Sequence, residues 1–222
     1  MLKKIIKPFI PEFYLDHVHK RRIDKQIKLN FENWREKSWN EWLKDGSPIP
    51  PPHAVKQKVI SDYQKKYKSK VLVETGTLHG DMIEAQKRSF EKIYSIELDD
   101  KLHFEASQRF KYDRNIHLVK GDSGIQLFEV IKNIEEQSIF WLDGHYSGTY
   151  TALGDVECPI HGEIDGIFSG KVKTHILLVD DARCFIGENS YPTKDELFTY
   201  IKNYNPKYKM SIEADIIRFE TN

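Results

Sequence analysis

Five short apolar runs rich in β-branched residues recur along this chain, and polar stretches long enough to form helices separate them. This alternation is typical of parallel β-strands joined by crossover helices, which cover both faces of the sheet. The sequence therefore predicts a doubly wound α/β fold with a mainly parallel, Rossmann-like sheet. The predicted strands are residues 71–73, 93–96, 116–119, 139–142 and 176–179.

Helical stretches and a final strand pair complete the predicted pattern. Two further apolar runs, 208–213 and 216–220, are separated by too few residues for a crossover helix. We therefore expect the last pair of strands to be antiparallel. The predicted helices are residues 55–67, 81–90, 101–110, 125–133 and 194–203.

The N-terminal quarter of the chain differs in composition from the rest. Residues 1–54 are basic and rich in aromatic side chains, and they end in a proline run that stops any helix. Apolar residues within 23–43 have a mostly helical spacing. This helical extension either packs on the core or anchors the chain on an anionic membrane surface. Residues 55–222 form the predicted α/β domain.

Overall charge and cysteine content exclude several classes of protein. Lys and Arg total 34, as do Asp and Glu, so no basic field indicates a nucleic-acid partner. The two cysteines, Cys158 and Cys184, are too few for a disulfide framework. No apolar run approaches the roughly 18 residues of a membrane-spanning helix. We expect a cytoplasmic protein, with peripheral contact at the inner face of the membrane as the open alternative, and no indication of oligomeric state.

A carboxylate follows each of the five predicted strands. In an open parallel sheet, ligands bind in the crevice beyond the carboxyl ends of the strands. Acids at five successive strand ends therefore point to one functional edge of the sheet. These residues are Glu74, Glu97, Asp122, Asp143 and the pair Asp180 and Asp181.

The loop after the first strand indicates which ligand binds there. Gly76 and Gly80 suit a tight turn from strand to helix, but Leu78 stands where a dinucleotide fingerprint needs its second glycine. Glu74 would repel a pyrophosphate and suits an ammonium group. Glu97 lies 21 residues after Gly76, close to the ~20-residue spacing at which an acid reaches ribose hydroxyls. The pattern predicts a cationic ligand that carries ribose and no phosphates, which disfavours NAD.

These motifs, in this order, resemble those of class I S-adenosylmethionine-dependent methyltransferases. The resemblance runs from about residue 55 to the C-terminus. Within that superfamily, ETGTLHGDM, YSIELDD, KGDSG, FWLDGHYSG and LLVDDAR look like a bacterial subgroup associated with surface polysaccharide synthesis. The resemblance implies S-adenosylmethionine as the cofactor.

The same resemblance assigns roles to the cofactor-binding residues. Glu74 would face the amino end of the methionine moiety, and Glu97 would hold the ribose diol. Asp122 and Ser123 would flank the adenine. The complete predicted cofactor set is Glu74, Thr75, Gly76, Thr77, Gly80, Glu97, Leu98, Asp122, Ser123 and Asp143.

A second resemblance concerns a metal ion. Catechol-type O-methyltransferases place an Asp after the fourth strand and an acidic pair after the fifth, which here match Asp143, Asp180 and Asp181. Three oxygen ligands suit Mg²⁺ or another divalent cation, which would lower the pKa of a bound hydroxyl. Metal-independent relatives also carry acids here, and in such a site Asp143 or His145 would be the catalytic base. The sequence leaves both options open.

The segment after Asp143 is expected to contact the acceptor. His145 follows the fourth strand, and residues 149–160 are predicted to form a loop that covers the substrate and leads into a helix. Cys158 and His161 have the spacing of half a zinc site, but a second pair of ligands is missing. Arg183 would contact an anionic substrate group or neutralise the neighbouring acids.

The sequence thus predicts an enzyme that methylates a hydroxyl on a small-molecule or glycan-like acceptor, with a sugar favoured. Two alternatives remain: a non-catalytic cofactor-binding scaffold in a membrane-associated polysaccharide synthesis complex, and a NAD-dependent oxidoreductase. The loops that would shape the acceptor pocket carry no pattern that names the acceptor.

Overall fold

The fold is a seven-stranded sheet with helices on both faces. In the computed structural model, residues 12–144 and 158–221 are described. The strands are β1 Val71–Thr75, β2 Lys92–Glu97, β3 Ile116–Lys120, β4 Ile139–Leu142, β5 Ile176–Val179, β6 Lys209–Glu213 and β7 Ile216–Glu220. The helices are α1 Glu12–Lys44, α2 His53–Tyr67, α3 Asp81–Gln86, α4 Asp100–Arg109, α5 Ser123–Val130, α6 Ile160–Ser169 and α7 Lys194–Tyr204.

The strands lie in the order β3-β2-β1-β4-β5-β7-β6. The first five are parallel, whereas β7 is antiparallel to both β5 and β6. The predicted fold class, including the antiparallel C-terminal strand pair, is therefore confirmed. The chain winds outward from β1 to β3 and then returns to place β4 on the other side of β1, which opens a crevice between these two strands.

Alternate residues of the central strands enter two separate cores. On β1, Val71 and Val73 pack with α5, α6 and α7 on one face, while Leu72 packs with α2, α3 and α4 on the other. Because both faces of a doubly wound sheet are buried, its strands read as continuous apolar runs. This burial explains the runs of β1, β2, β4 and β5, whereas the edge strand β3 is only partly buried.

Helix α1 spans 33 residues and begins well before the 23–43 segment whose spacing suggested a helix. Its C-terminal part lies on α2: Trp42 is buried with Val55 and Ala214, and Glu36 pairs with Lys58 at 3.0 Å. This packing agrees with the interpretation of the extension as a helix on the core. The division at residue 54 stays a prediction. Within the described ranges, no helix combines the length and the hydrophobicity that a membrane crossing requires.

One predicted helix is shorter than expected. The sequence predicted a helix over 81–90, but α3 ends at Gln86 and a turn follows, in which the Ser89 amide donates to the Gln86 carbonyl. The Asn115 side-chain amide donates hydrogen bonds to the carbonyls of Lys87 and Phe90, at 3.0 and 3.3 Å. A distant side chain therefore satisfies groups that a longer helix would have used.

Candidate functional site

The loops after β1 and β4 meet at the crevice. Gly76 has a left-handed backbone (φ +82°), and a Cβ built on it would lie 2.5 Å from the Asp143 carbonyl oxygen. The Thr75 hydroxyl accepts a hydrogen bond from the Asp143 amide at 3.1 Å. The site therefore needs a glycine at 76, because any side chain there would push the two loops apart.

Gly80 serves packing within the turn. A Cβ at this position would lie 2.5 Å from the Phe110 ring, and the backbone φ is +76°. Leu78, which stands at the position of the missing second glycine, also has a positive φ (49°) and is largely exposed. The turn thus has the tight geometry that the two glycines predicted, with an exposed leucine at its tip.

Glu74 is buried at the carboxyl end of β1. It accepts a hydrogen bond from the Ser95 hydroxyl at 2.6 Å, and Ser95 also bonds the Thr77 hydroxyl at 2.6 Å. Burial raises the pKa of Glu74 to about 8, and the nearby charge of Glu97 adds to this, while the Ser95 hydrogen bond opposes it. The carboxyl is therefore poised to ionise beside a cationic group.

Glu97, at the end of β2, is 6% exposed and is held by two backbone amides. Leu78 donates to one carboxylate oxygen and Asp99 to the other, both at 2.8 Å. A carboxylate has about four acceptor positions, so two remain for a ligand. The hydrogen bond from the Leu78 amide joins the turn after β1 to the end of β2. Leu98, another residue of the predicted cofactor set, directly follows Glu97 there.

The end of β3 is shaped by a helix cap. Asp122 is the N-cap of α5 and accepts from the Gly124 amide at 2.8 Å, a structural role for a residue predicted to flank adenine. Ser123 donates to the buried Glu163 of α6 at 2.6 Å. A Cβ on Gly144 would lie within 3.1 Å of Ser123, Glu163 and Thr75. These polar groups thus close around the loop after β4.

Asp143, Asp180 and Asp181 converge at the ends of β4 and β5, together with a residue the sequence did not suggest. Lys56 of α2 forms an ion pair with Asp180 Oδ2 and lies 3.6 Å from Asp181 Oδ1. The buried Asp143 carboxyl lies within the electrostatic influence of Asp180, Lys56 and Asp181. We call Lys56, Asp143, Asp180 and Asp181 the lysine–carboxylate cluster.

The pKa values within this cluster shift in the directions that burial and charge dictate. Burial, followed by the charge of Asp180, raises the pKa of Asp143 well above its usual range, against the influence of Lys56. Burial also raises the pKa of Asp180. Burial alone would lower the pKa of Lys56, but Asp180, Asp143 and Asp181 outweigh it and raise that pKa. Lys56 is therefore an ammonium group.

Arg183 adds a second cation on the outer side of this cluster. Its guanidinium bonds Asp181 at 2.7 Å and also pairs with Asp215 from the turn between β6 and β7. Of the two predicted roles for Arg183, neutralisation of acids is the one its contacts display. Asp215 also accepts from the Arg183 amide at 2.9 Å, which fixes the start of this loop.

The predicted metal ligands do not form an open cation site. Across residues 12–144 and 158–221, no group of three or more His, Cys, Asp or Glu side chains is arranged to hold a metal ion. The physical reason is visible in the contacts, because Lys56 lies among the carboxylates and Arg183 engages Asp181. The cluster's own residues therefore do not fit a divalent cation as they stand.

Some of the residues predicted to contact the acceptor or a zinc ion lie within the described ranges, and others lie outside them. His145 lies outside the described residues, as do most of those predicted to cover the substrate, and α6 begins at Ile160 as the expected helix. Cys158 is buried, which raises the pKa of its thiol to about 12, and the His161 ring packs against Tyr200. A thiol with a raised pKa is a poor zinc ligand, since zinc binds thiolate.

Three residues of the site escaped the sequence reasoning. Lys56 and Asp215 reach the site from elements distant in sequence, and Glu163 lies in α6, which follows residues outside the described ranges. For Lys56 a weak signal existed: the first turn of α2 contains a lysine and no acid. Cations are unfavourable at a helix N-terminus, so such a lysine invites a search for acidic partners.

Similar solved structures identify the fold. The S-adenosylhomocysteine-bound methyltransferase PaMTH1 of Podospora anserina superposes with a TM-score of 0.52 at 11% identity, over 97% of this chain and 99% of that one. An O-methyltransferase from Bacillus cereus with S-adenosylhomocysteine gives 0.52 at 11%, over 83% and 88%. The N-methyltransferase NodS from Bradyrhizobium japonicum gives 0.50 at 13%, over 76% and 95%.

Sequence comparison finds no such likeness: no protein-family model matches this chain, and no curated protein matches it. At this level of identity, the structural likeness concerns the fold. The chain therefore has the Rossmann-like fold of class I methyltransferases, with its acids gathered at the carboxyl edge of the sheet.

Proposed function

We propose that this protein transfers a methyl group from S-adenosylmethionine to a hydroxyl of a small-molecule acceptor, with a sugar or glycan as the favoured class. The observation that carries the proposal is Glu97, a buried acid with free acceptor capacity that is hydrogen-bonded to the β1 turn. It stands in a fold shared with two methyltransferases bound to S-adenosylhomocysteine. A nicotinamide cofactor fits poorly, because Glu74 lies beside the same turn and would repel the pyrophosphate of that cofactor.

The residues present suit both the nucleoside and the methionine moiety of this cofactor. Glu97 would accept from the two ribose hydroxyls, using the lone pairs that Leu78 and Asp99 leave. Glu74 would face the ammonium of the methionine moiety and would ionise in response. Asp122 and Ser123 would border the adenine. When bound, S-adenosylmethionine supplies an electrophilic methyl group.

Asp143 is the proposed base for the acceptor hydroxyl. A general base is most effective when its pKa is near the operating pH, and burial with Asp180 moves the pKa of Asp143 upward. The hydrogen bond from its amide to Thr75 and the cluster around its side chain hold it beside the glycine turn. The chain's remaining tasks are to orient the acceptor for in-line transfer and to exclude water. His145 remains a second candidate base.

The choice of acceptor rests on the sequence motifs. The five strings at the ends of β1 to β5 resemble those of methyltransferases associated with surface polysaccharides, which favours a sugar hydroxyl. Comparison structures include both O- and N-methyltransferases, so they favour neither class alone. Peripheral membrane contact through residues 1–54 would bring the site to a membrane-bound synthesis complex, and it belongs to the same proposal.

The test is release of S-adenosylhomocysteine, measured by mass spectrometry with a panel of mono- and oligosaccharide acceptors. Wild-type protein should turn over at least one acceptor, and Asp143→Asn should reduce that rate at least about 100-fold, the usual contribution of a positioned base. Retained melting temperature is the control for folding. Tight cofactor binding without turnover across the panel would instead favour a non-catalytic scaffold.

A further inference from the structure

We infer that Lys56 is the resident cation of the lysine–carboxylate cluster, standing where a divalent metal would otherwise bind. If the proposed methyl transfer holds, the reaction is then independent of divalent metal, and Lys56 is a positioning residue for its base. This assignment contrasts with the metal-dependent pattern that the positions of Asp143, Asp180 and Asp181 suggest in the sequence.

The first support is where the amine lies. Lys56 reaches from the first turn of α2 to the ends of β4 and β5, where it pairs with Asp180 and lies 3.6 Å from Asp181. The side chain of Asp180 is 0% exposed and that of Lys56 is 15% exposed. An ion pair so well shielded from solvent is a fixed part of the site, unlike an exposed surface pair.

The second support is the electrostatics of α2. No acid lies in the first turn of this helix, and a cation there opposes the positive end of the helix dipole. His53, in the same turn, adds no compensating negative charge. The charge of Lys56 is therefore stabilised across the crevice by Asp180, Asp181 and Asp143. A lysine charge at this position is unfavourable unless nearby carboxylates stabilise it.

The third support is the state of the carboxylates themselves. Asp180 accepts from Lys56 and from the Asp181 amide at 2.9 Å, and Asp181 accepts from Arg183 at 2.7 Å. A divalent ion would need these same oxygens and would stand next to an ammonium group. Metal entry therefore requires Lys56 to leave, which gives the inference a direct test.

The positioning role follows from the same contacts. Lys56 pairs with Asp180, and the charges of Asp180 and Lys56 both act on Asp143, the proposed base. Removing the amine would leave buried carboxylates without their cation, so they would repel one another or take up protons. In the proposed reaction, the arrangement of the acids beside Asp143 thus depends on Lys56.

The first arm of the test uses the wild-type full-length chain, with Mn²⁺ as the probe. We expect no saturable Mn²⁺ binding by electron paramagnetic resonance at micromolar to low millimolar concentrations. We also expect no shift in melting temperature with 5 mM Mg²⁺ or with EDTA. Saturable binding that stabilises the wild-type protein would overturn the inference, because the carboxylates would then accept a metal with Lys56 present.

The second arm removes the amine. Lys56→Ala should lower the melting temperature by roughly 10 °C, as expected when one member of a buried ion pair is lost. It should also gain saturable Mn²⁺ binding, and saturating Mn²⁺ should restore roughly 5–10 °C. A variant that responds to Mn²⁺ no more than the wild type does would contradict the assignment.

Lys58→Ala is the matched control, because Lys58 lies on the same helix, is similarly buried and also pairs with two acids, Glu36 at 3.0 Å and Asp62 at 2.9 Å. It should lose stability without gaining a response to Mn²⁺. If Lys56→Ala fails to fold, Lys56→Gln replaces it, with the same gain of Mn²⁺ binding expected. Lys56→Arg, which keeps the positive charge, should stay unresponsive to metal.

Titration of the same variants with S-adenosylhomocysteine separates this inference from the proposed function. If the wild-type protein does not bind S-adenosylhomocysteine, the proposed function is refuted and the Mn²⁺ result is unaffected. Binding of cofactor together with saturable Mn²⁺ binding by the wild type would refute the role of Lys56 alone.

Discussion

Glu74 is a buried carboxyl whose hydrogen-bond donor is a neutral hydroxyl, that of Ser95. Its folded-state pKa, about 8, lies above the ordinary value of 4.5, so between these values the folded chain binds more protons than the unfolded chain. The contribution of Glu74 to stability is therefore fully present below pH 4.5 and is lost as pH rises to about 8. The rate of loss is at most about 1.4 kcal/mol per pH unit.

Glu74→Gln tests this titration, because the amide keeps an acceptor for Ser95 and cannot ionise. We expect the free energy of unfolding of the variant to gain on that of the wild type as pH rises from 5 to 8, as measured by urea denaturation. Glu91→Gln, at an exposed site, is the control and should show no such trend. Parallel pH profiles for Glu74→Gln and wild type would show that Glu74 ionises normally.

Glu97 carries the proposed ribose contact. Glu97→Ala should weaken S-adenosylhomocysteine binding at least about 100-fold, the loss expected for two hydrogen bonds to a charged acceptor. Calorimetry measures this change, and Glu105→Ala, an exposed acid on α4, serves as the control. Unchanged affinity in a folded Glu97→Ala variant would remove the ribose assignment. The variant also leaves the Leu78 and Asp99 amides unpaired, so its fold is checked by circular dichroism.

At the scale of elements, two tryptophans of α1 differ in their exposure to solvent. Trp42 is 6% exposed, packs with Val55 and Ala214, and donates its indole N–H to the Pro48 carbonyl at 2.8 Å. Trp34, two turns earlier, is 47% exposed. The C-terminal end of α1 is therefore part of the folded core, whereas the face that carries Trp34 contributes little to it.

Trp42→Ala should cost about 3–5 kcal/mol of stability, as for other buried tryptophans. Trp34→Ala should change stability by no more than about 0.5 kcal/mol. Urea denaturation of the two variants measures both values. Equal small losses would mean that α1 does not pack on the domain as described.

Strands β1, β2, β4, β5 and β7 were predictable because burial on both faces leaves an apolar run in the sequence. The edge strands β3 and β6 are more exposed, and they were found from apolar runs that polar residues interrupt. Helix limits were harder to predict. The start of α1 lies before the 23–43 segment whose spacing predicted a helix, and the end of α3 depends on Asn115 from a distant loop. Local sequence reports propensity and periodicity, and it cannot report which remote side chain will satisfy a carbonyl.

Across the whole molecule, the strand order places the carboxyl ends of β1, β2, β4 and β5 along one crevice. The acids at these ends were predictable because strand ends are identifiable in the sequence, and a parallel sheet brings them to one edge. The contact of Lys56 with these acids was not predictable, since Lys56 lies 124 residues from Asp180 and belongs to a helix that precedes the first strand. Only the three-dimensional packing of α2 shows that a cation fills the acidic cluster.

Isothermal titration of the purified wild-type chain with S-adenosylhomocysteine, S-adenosylmethionine and NAD tests the proposed function most directly. We expect micromolar binding of both sulfur nucleotides, unchanged by Mg²⁺ or EDTA, and no binding of NAD. Binding of NAD with no response to either sulfur nucleotide would contradict the methyltransferase proposal and revive the oxidoreductase alternative.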